Sequence, residues 1–165
     1  MVARVSTYEF PPERLTKIGE QLRAAVHARR GGYDPRILAA FLGVDRESGQ
    51  SVAVTIASDD AALLETPAEP EGFEAVDVAV YDVGETYVAE PEHFEASVSP
   101  RLHVLRGEAW REPDELVDAA FALRRATEPP LLVAFAEWPE WTERVGGAEV
   151  YDLEYFMVRH GAPVR

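Results

Sequence analysis

The sequence predicts an α+β protein made of two βαββαβ-type units in tandem. Three observations lead to this prediction. Strand-like and helix-like patterns alternate over the first 83 residues, a similar succession restarts after residue 100, and a Glu-rich stretch with prolines separates the two. We therefore expect a first unit at residues 2–83, a connector at 84–100 and a second unit at 101–160.

A strand and a helix open the first unit. Residues 2–10 are rich in strand-forming residues and end at a Pro-Pro pair. From residue 13 to 28 the apolar side chains fall mostly three to four residues apart, as on the buried face of an amphipathic helix. Pro12 suits the first turn of that helix, and Gly31-Gly32 terminates it.

A hairpin, a short helix and a closing strand complete the first unit. The apolar runs 37–44 and 50–57 flank the polar turn 45–49, which predicts a β-hairpin. Ser58-Asp59-Asp60 can cap a helix that runs to Leu64. Alternation of apolar and polar residues over 73–83 then predicts a strand with two unlike faces.

The second unit is predicted to be βαβαβ, one strand short of the first. Glu112-Pro113-Asp114 opens a predicted helix. Its apolar face holds Leu116, Val117, Ala120 and Leu123. The predicted strands are 102–106, 131–136 and 148–158, with a short helix at 139–145. We expect the connector to supply a further short strand at 94–98.

The two closing strands carry a local similarity that indicates an internal duplication. Residues 72–78 align with 147–153, with Gly, Glu and Asp in common. An open sheet with helices on one face leaves its other face apolar, and a second sheet would cover it. One chain could then do what a homodimer does with two. A homodimer stays an alternative, because Trp138 and Trp141 would also suit a subunit interface.

The composition excludes several classes of function. With a net charge of −14, the 165-residue chain repels nucleic acid and anionic lipid, so neither is an expected partner. The absence of cysteine excludes disulfides and thiolate chemistry. No stretch approaches the roughly 20 apolar residues of a membrane span, and the N-terminus lacks a secretory signal pattern. We expect a cytoplasmic protein.

The βαββαβ order of residues 2–83 resembles the antibiotic biosynthesis monooxygenase-like family. The residues that carry the resemblance are Val2-Ala3-Arg4-Val5, Pro11-Pro12-Glu13, Asp45-Arg46-Glu47-Ser48-Gly49 and Ser58-Asp59-Asp60-Ala61-Ala62. Residues 131–158 are similar to the second half of the family pattern, with Trp138 at its aromatic position. The resemblance implies two ferredoxin-like units that form an α/β barrel with antiparallel sheets.

The resemblance also implies a cavity between sheet and helices that binds a flat aromatic compound. Some family members oxygenate such compounds without metal or flavin, and others cleave haem. This sequence has no Asn, which haem-degrading members use on the first strand, and the nearest polar replacements are Ser6 and Tyr8. Ala57 stands where a Trp is common. We expect a cofactor-free monooxygenase of an aromatic or quinone-like small molecule or, as the alternative, a non-catalytic binding or structural protein.

His103 is the candidate catalytic base. A cofactor-free oxygenation needs a base in a dry pocket, and histidine suits that task near neutral pH. The other three histidines lie at a helix end, in the connector and near the C-terminus, where solvated roles are expected. A structural strand histidine remains the alternative for His103. No two histidines have metal-ligand spacing, so no metal site is predicted.

Aromatic side chains with polar tips are the candidate pocket lining, because planar ligands are bound by such walls. The predicted lining is Ser6, Tyr8, Tyr81, Trp110, Trp138 and Tyr155. An ordinary core or an interface between the units is the alternative. Asp77 and Asp152 stand among apolar residues of the closing strands. We expect them either to pair with Arg4 or Arg106 or to line a cavity.

Overall fold

The computed structural model describes residues 1–15, 17–18, 20, 34–65, 73–88, 101–108, 110, 112–113, 117–136 and 147–158, with the side chains of Pro12 and of residues 155–158 excepted. Within these ranges the chain forms eight strands, a 3-10 turn at Pro12–Arg14, helical residues at 15, 17, 18 and 20, and one helix described over its full length. The strands are β1 (Val2–Glu9), β2 (Ile37–Val44), β3 (Gln50–Ala57), β4 (Asp77–Val88), β5 (Arg101–Arg106), β6 (Val117–Arg125), β7 (Glu128–Ala136) and β8 (Glu149–Val158). The helix is α1 (Asp60–Glu65). It is too short to cross a membrane, and no other described segment qualifies as a spanning helix.

The eight strands close into one antiparallel barrel in the order β1-β3-β2-β8-β5-β7-β6-β4. The first half of the chain, β1 to β4, contributes the run β4-β1-β3-β2. The second half, β5 to β8, contributes β8-β5-β7-β6, which is the same order of its first, second, third and fourth strands. The two halves meet at two seams, β2 with β8 and β4 with β6.

The strand registers of the two halves match as well as their orders do. A cross-strand row on the inner face has the residue types Val, Val and Phe in both halves. In the first half the row is Val5, Val54 and Phe41 on β1, β3 and β2. In the second half it is Val104, Val133 and Phe121 on β5, β7 and β6. Each residue of this row in one half therefore has a counterpart in the other.

The residue pairs across the two seams, β2 with β8 and β6 with β4, correspond in the same way. Phe41 faces Phe156 on β8, and its counterpart Phe121 faces Thr86 on β4. A register shift follows in each seam, and the next inner pairs are Gly43 with Leu153 and Leu123 with Val83. Because a slip of one residue would turn every side chain to the other side of a strand, this agreement fixes the counterpart of each strand residue.

Apolar side chains fill the barrel interior. Phe41 and Phe135 lie with ring centroids 4.1 Å apart, and Phe121 lies 5.8 Å from Phe41. Rings at these separations make favourable tilted contacts in addition to burying large areas. A Cβ atom at Gly43 would lie 2.6 Å from Cβ of Tyr151, so the backbone of β2 approaches its neighbours closely there. An eight-stranded barrel is just wide enough to be filled in this way.

Several predicted elements of the first half are confirmed. The hairpin strands have the predicted limits, and Gly49 closes their turn with φ of 79°. The helix after Ser58 is capped by Asp59, whose Oδ1 accepts a hydrogen bond of 2.9 Å from the Ala62 amide. Of the predicted helix at 13–28, residues 15, 17, 18 and 20 are helical, and most of the rest lies outside the described residues.

The helix predicted from residue 112 is wrong in the part that the structure describes. Residues 117–125 form strand β6, which pairs with β4 and β7. Both sides of β6 are buried, so its apolar residues form a continuous run that periodicity cannot assign to a helix or a strand. The second half thus has the hairpin strand it was predicted to lack. The strand at 94–98 and the helix at 139–145 lie outside the described residues.

Strand β4 continues to Val88, through five residues that were predicted to be connector. Its pairing with β6 accounts for this extension, since residues 82–88 are the part that forms the seam. The alignment of 72–78 with 147–153 also differs from the observed registers. Asp77 faces Thr7 on the inner side, whereas Asp152 follows the inner Tyr151 and points outward. Tyr81 and Tyr151 are the counterparts instead.

Candidate functional site

Strand β5 places His103 on the outer side of the barrel wall, since its neighbours Leu102 and Val104 belong to the inner core. His103 faces Ala134 of β7 on one side and Val150 of β8 on the other. Its exposed fraction is 0%. His103 is thus shielded from solvent although it lies outside the barrel core.

Burial determines the protonation state of this imidazole. It lowers the pKa of His103 from 6.5 to about 4, and the nearby positive charge of Arg101 acts in the same direction. A hydrogen bond to the backbone of Ala136 opposes this shift only in part. His103 is therefore neutral at physiological pH and is held in a fixed orientation by β7.

A buried apolar cluster made largely of small side chains lies on the same outer face of the sheet as His103. Leu105 and Leu132 are buried on this outer face together with alanines of β6 and β7. The alanines are Ala120, Ala134 and Ala136. Trp110 and Ala148 pack against the same cluster and are partly buried. We refer to Leu105, Leu132 and the three alanines as the alanine floor.

The sequence contained a signal for this floor that was not used. In the run 131–136 alternate residues point inward, so that Leu132, Ala134 and Ala136 share the outer side. Asp118 was also missed, because it was placed on a predicted helix. It lies on β6 next to the floor, and one of its carboxylate oxygens is shielded from solvent.

A polar cluster connects the end of β5 with the first residues of β7 and β8. The Tyr151 hydroxyl donates to Glu149 at 3.0 Å, and Arg106 donates to the same carboxylate at 2.8 Å. The Tyr81 hydroxyl donates to Glu128 at 3.2 Å. Burial, and then the carboxylates, raise the pKa of both phenols, so both remain protonated donors. These groups satisfy one another above the aromatic core.

The other predicted pocket residues are not gathered around His103. Ser6 and Tyr8 are buried on the outer side of β1 in the first half, where the Tyr8 ring stacks on Phe10 at 5.7 Å. Tyr81 lies inside the barrel. Of the predicted set, Trp110 packs against the alanine floor. Trp138 and the side chain of Tyr155 lie outside the described part of the chain.

The surroundings of Asp77 and Asp152 also differ from the expected pairing with Arg4 or Arg106. Asp152 pairs with Arg46 at 3.4 Å and with Arg101 at 3.5 Å, and Asp77 is exposed at the end of β4. Arg106 is occupied by Glu149, and Arg4 is buried on the outer side of β1. The pairing of Asp152 thus follows the seam between β2 and β8, which the sequence alone did not reveal.

Among the described residues, one open depression of about 500 Å³ lies on the rim of the first half. It is lined by Glu9, Phe10, Pro11, Ser48 and Gln50. None of these residues belongs to the alanine floor. Among all the residues that the structure describes, no three His, Asp or Glu side chains converge as metal ligands would.

Three solved structures resemble the whole chain. A presumed monooxygenase from Lactobacillus acidophilus matches with a TM-score of 0.61 at 10% identity, covering 95% of both chains. Another, from Fusobacterium nucleatum, matches with a TM-score of 0.62 at 12% identity, covering 96% of this chain and 94% of the other. This chain has the fold of a monooxygenase-like barrel. An anthrone oxidase-like protein has the same fold, with a TM-score of 0.53 at 9% identity, covering 99% of this chain and 94% of its own. No protein-family model and no curated protein matches the sequence.

Proposed function

We propose that this protein is a monooxygenase-like enzyme that oxidises a flat aromatic or quinone-like small molecule, with His103 as the base. The observation that carries the proposal is a neutral, fully buried imidazole on the same face of the sheet as a buried apolar cluster of mostly small side chains. The whole-length likeness to presumed monooxygenases and to an anthrone oxidase-like protein supports the reaction class.

Oxidation of an anthrone illustrates the chemistry that such a site can perform. The neutral His103 accepts a proton from the carbon opposite the ketone, and the resulting carbanion transfers electrons to O₂. A carbon–oxygen bond forms, and the hydroperoxide that results loses water to give a second carbonyl. Anthrone and O₂ thus yield anthraquinone and H₂O, with oxygen reduced and the carbon oxidised. The carbon acid supplies the electrons, so the step requires neither metal nor flavin.

The apolar surroundings of His103 keep the imidazole neutral and able to accept a proton, and the carbanion formed beside it would offset the cost of charging it. A dry environment excludes water from a reactive carbanion and strengthens the remaining electrostatic interactions. Trp110, packed at the edge of the floor, would provide an aromatic wall.

We further infer that the chain is a tandem duplication of a ferredoxin-like unit, related to the antibiotic biosynthesis monooxygenase-like family. The shared strand order, the shared seam registers and the repeated Val-Val-Phe row support a duplication. Because one chain closes the barrel, it would serve as a monomer, with a unit at 2–83, a connector at 84–100 and a unit at 101–160.

Oxygen uptake tests the proposed function. Wild-type protein incubated with anthrone or a quinol should consume oxygen above the uncatalysed rate, and His103→Gln should lower kcat by about 100-fold, the usual effect of losing a general base. Glu85→Gln is a matched control, since Glu85 forms an exposed pair with Arg124. Uptake that His103→Gln leaves unchanged would contradict the assignment of His103.

A non-catalytic binding or structural role is the second candidate. The observation that favours it is the polar cluster in which the two tyrosines, Arg106 and the glutamates satisfy one another's hydrogen bonds. A protein of this kind would bind 1,8-dihydroxyanthraquinone without consuming oxygen in the presence of the reduced compound. That result would favour the binding role over the enzyme.

A further inference from the structure

Strand β4 extends beyond the end of its neighbour β6. The pairing of these two strands begins at Asp82 with Arg124, and β6 turns into β7 after Arg125. Residues 77–81 of β4 pair with β1 on one side. Among the described residues, no strand pairs with them on the other side. We refer to residues 77–81, on this open side, as the β4 edge.

The backbone of the β4 edge presents amide hydrogens that point away from β1. The Val83 amide donates to the Met1 carbonyl at 3.1 Å, so it faces β1. Amides alternate between the two sides of an antiparallel strand, so that of Ala79 also faces β1, whereas those of Val78 and Val80 face the open side. Unpaired backbone groups of this kind are what an added strand satisfies.

Exposed valines lie along the outer side of the same segment. Val76, Val78 and Val80 are 63%, 45% and 45% exposed. They share one side of the strand, because the alternate residues Ala79 and Tyr81 are buried in the inner core. A strand added at the β4 edge would cover these valines with apolar residues at its own alternate positions.

The charges beside the β4 edge are acidic. Residues 74–82 include Glu74, Asp77 and Asp82 and no basic residue. None of these three carboxylates forms an ion pair in the described part of the chain, whereas the two arginines at the end of β6 are each paired with a glutamate. With a net charge of −14, a second copy of the chain would be repelled, and a basic partner would be attracted.

We propose that the β4 edge binds an extended segment of a basic partner protein as an added antiparallel strand. The segment pairs with the backbone of Val78 and Val80, covers the exposed valines with apolar side chains, and carries Lys or Arg toward the carboxylates. In strand addition, main-chain hydrogen bonds supply affinity and alternate side chains supply specificity. The edge belongs to β4 and His103 to β5, so this proposal stands apart from the proposed enzymatic function.

Hydrogen exchange tests the open edge in the free protein. The amides of Val78 and Val80 should exchange at least about tenfold faster than those of Ala79 and Tyr81, which face β1. Equal protection of all four amides would show that the edge is already covered, and would overturn the proposal.

Titration with the capped peptide Lys-Val-Thr-Val-Thr-Val-Lys tests strand addition. One peptide should bind per chain with Kd of about 0.1 mM or lower, and it should slow the exchange of the Val78 and Val80 amides. The peptide valines would lie opposite Val78 and Val80 and direct their amides toward β4. N-methylation of the valine amides should therefore raise Kd about tenfold or more, and N-methylation of the threonine amides should leave it within about threefold. Absence of binding, or an equal effect of the two modifications, would overturn the proposal.

Variants of the protein separate the edge from the overall charge. Glu74→Lys should raise the peptide Kd about fivefold, because it reverses a charge beside the edge. Glu112→Lys is the matched control, since Glu112 is exposed and precedes the opposite end of β6. Equal effects of the two would show that net charge alone attracts the peptide, against the proposal. A wild-type dimer in light scattering that Val78→Thr makes monomeric would assign the edge to a second copy and would also overturn it.

Discussion

The imidazole of His103 is buried, and burial is the main cause of its lowered pKa because it makes the protonated form costly. In the unfolded chain the same group takes up a proton near pH 6.5, whereas in the folded protein it resists protonation until about pH 4. The unfolded state therefore binds more protons between these two values. Stability contributed by His103 is present above pH 6.5 and is lost as the pH falls toward 4.

Replacing His103 should remove this acid sensitivity. We expect the free energy of unfolding of the wild type to fall by about 2–3 kcal/mol more than that of His103→Leu between pH 7 and pH 4. Urea denaturation at closely spaced pH values measures the difference. Parallel pH profiles for the two proteins would show that the imidazole is protonated equally in both states.

Gly43 offers a second test at a single residue. A methyl group there would lie 2.6 Å from Cβ of Tyr151 and 2.7 Å from Cδ2 of Leu102, in a packed interior. Gly43→Ala should therefore destabilise the protein by about 1–3 kcal/mol, measured by denaturant unfolding. Gly84→Ala is the matched control, because its nearest neighbours lie at an ordinary 3.5 Å. Equal stability of the two variants would contradict this account.

The candidate site was predictable from the sequence only in part. The position of His103 on a strand between apolar neighbours was visible, and so was its separation from the other histidines. Which side of the wall each aromatic occupies was not, since it depends on the register between strands distant in the chain. Tyr8 and Tyr81 thus lie on opposite sides of the wall although both are strand tyrosines.

Among the secondary-structure elements, the β2–β3 hairpin makes a notable contact with β8. Arg46 in the hairpin turn binds Glu154 and lies 3.4 Å from Asp152. The Glu154 side chain is only 7% exposed, so its charge depends on a partner more than a surface carboxylate does. The ion pairs of the hairpin turn therefore stabilise the seam between β2 and β8.

Removing Arg46 should lower the free energy of unfolding more than removing an exposed ion pair does. Arg46→Ala is expected to lower the free energy of unfolding by roughly 1 kcal/mol or more. Arg124→Ala breaks the exposed pair with Glu85, at 2.6 Å across the other seam, and should cost less than about 0.5 kcal/mol. Thermal or urea unfolding of both variants makes the comparison. An equal loss of stability in the two would contradict the role given to Arg46.

Strand β6 shows why one element escaped prediction. Ala119, Ala120, Ala122 and Leu123 are good helix formers, and their spacing also fits a helical face. Their burial on both sides of the strand overrides that propensity. The hairpin of β2 and β3 was predicted correctly because its turn carries local information. The pairing of β6 with β4 is non-local and leaves no such signal.

For the molecule as a whole, the matching seams predict that the halves can assemble without a covalent link. A chain cut between residues 88 and 101 should yield two fragments that form a 1:1 complex with the wild-type mass of 18.3 kDa. Each fragment alone exposes the apolar inner face of its four strands, which favours association. Light scattering after co-expression measures the mass. Fragments that remain apart would show that the seams need the intact chain.

The same barrel carries a preference for pairing unlike halves. Gly43 lies against Leu102, and the counterparts of these two residues are Leu123 and Ala3, with small and large exchanged. Two copies of the first half would bring Gly43 beside an alanine and leave a void. Two copies of the second half would bring Leu123 beside Leu102. That place is too small, because even a methyl group at Gly43 would collide with Leu102. Complementary volumes thus make the two halves obligate partners, free to diverge in the surfaces they present.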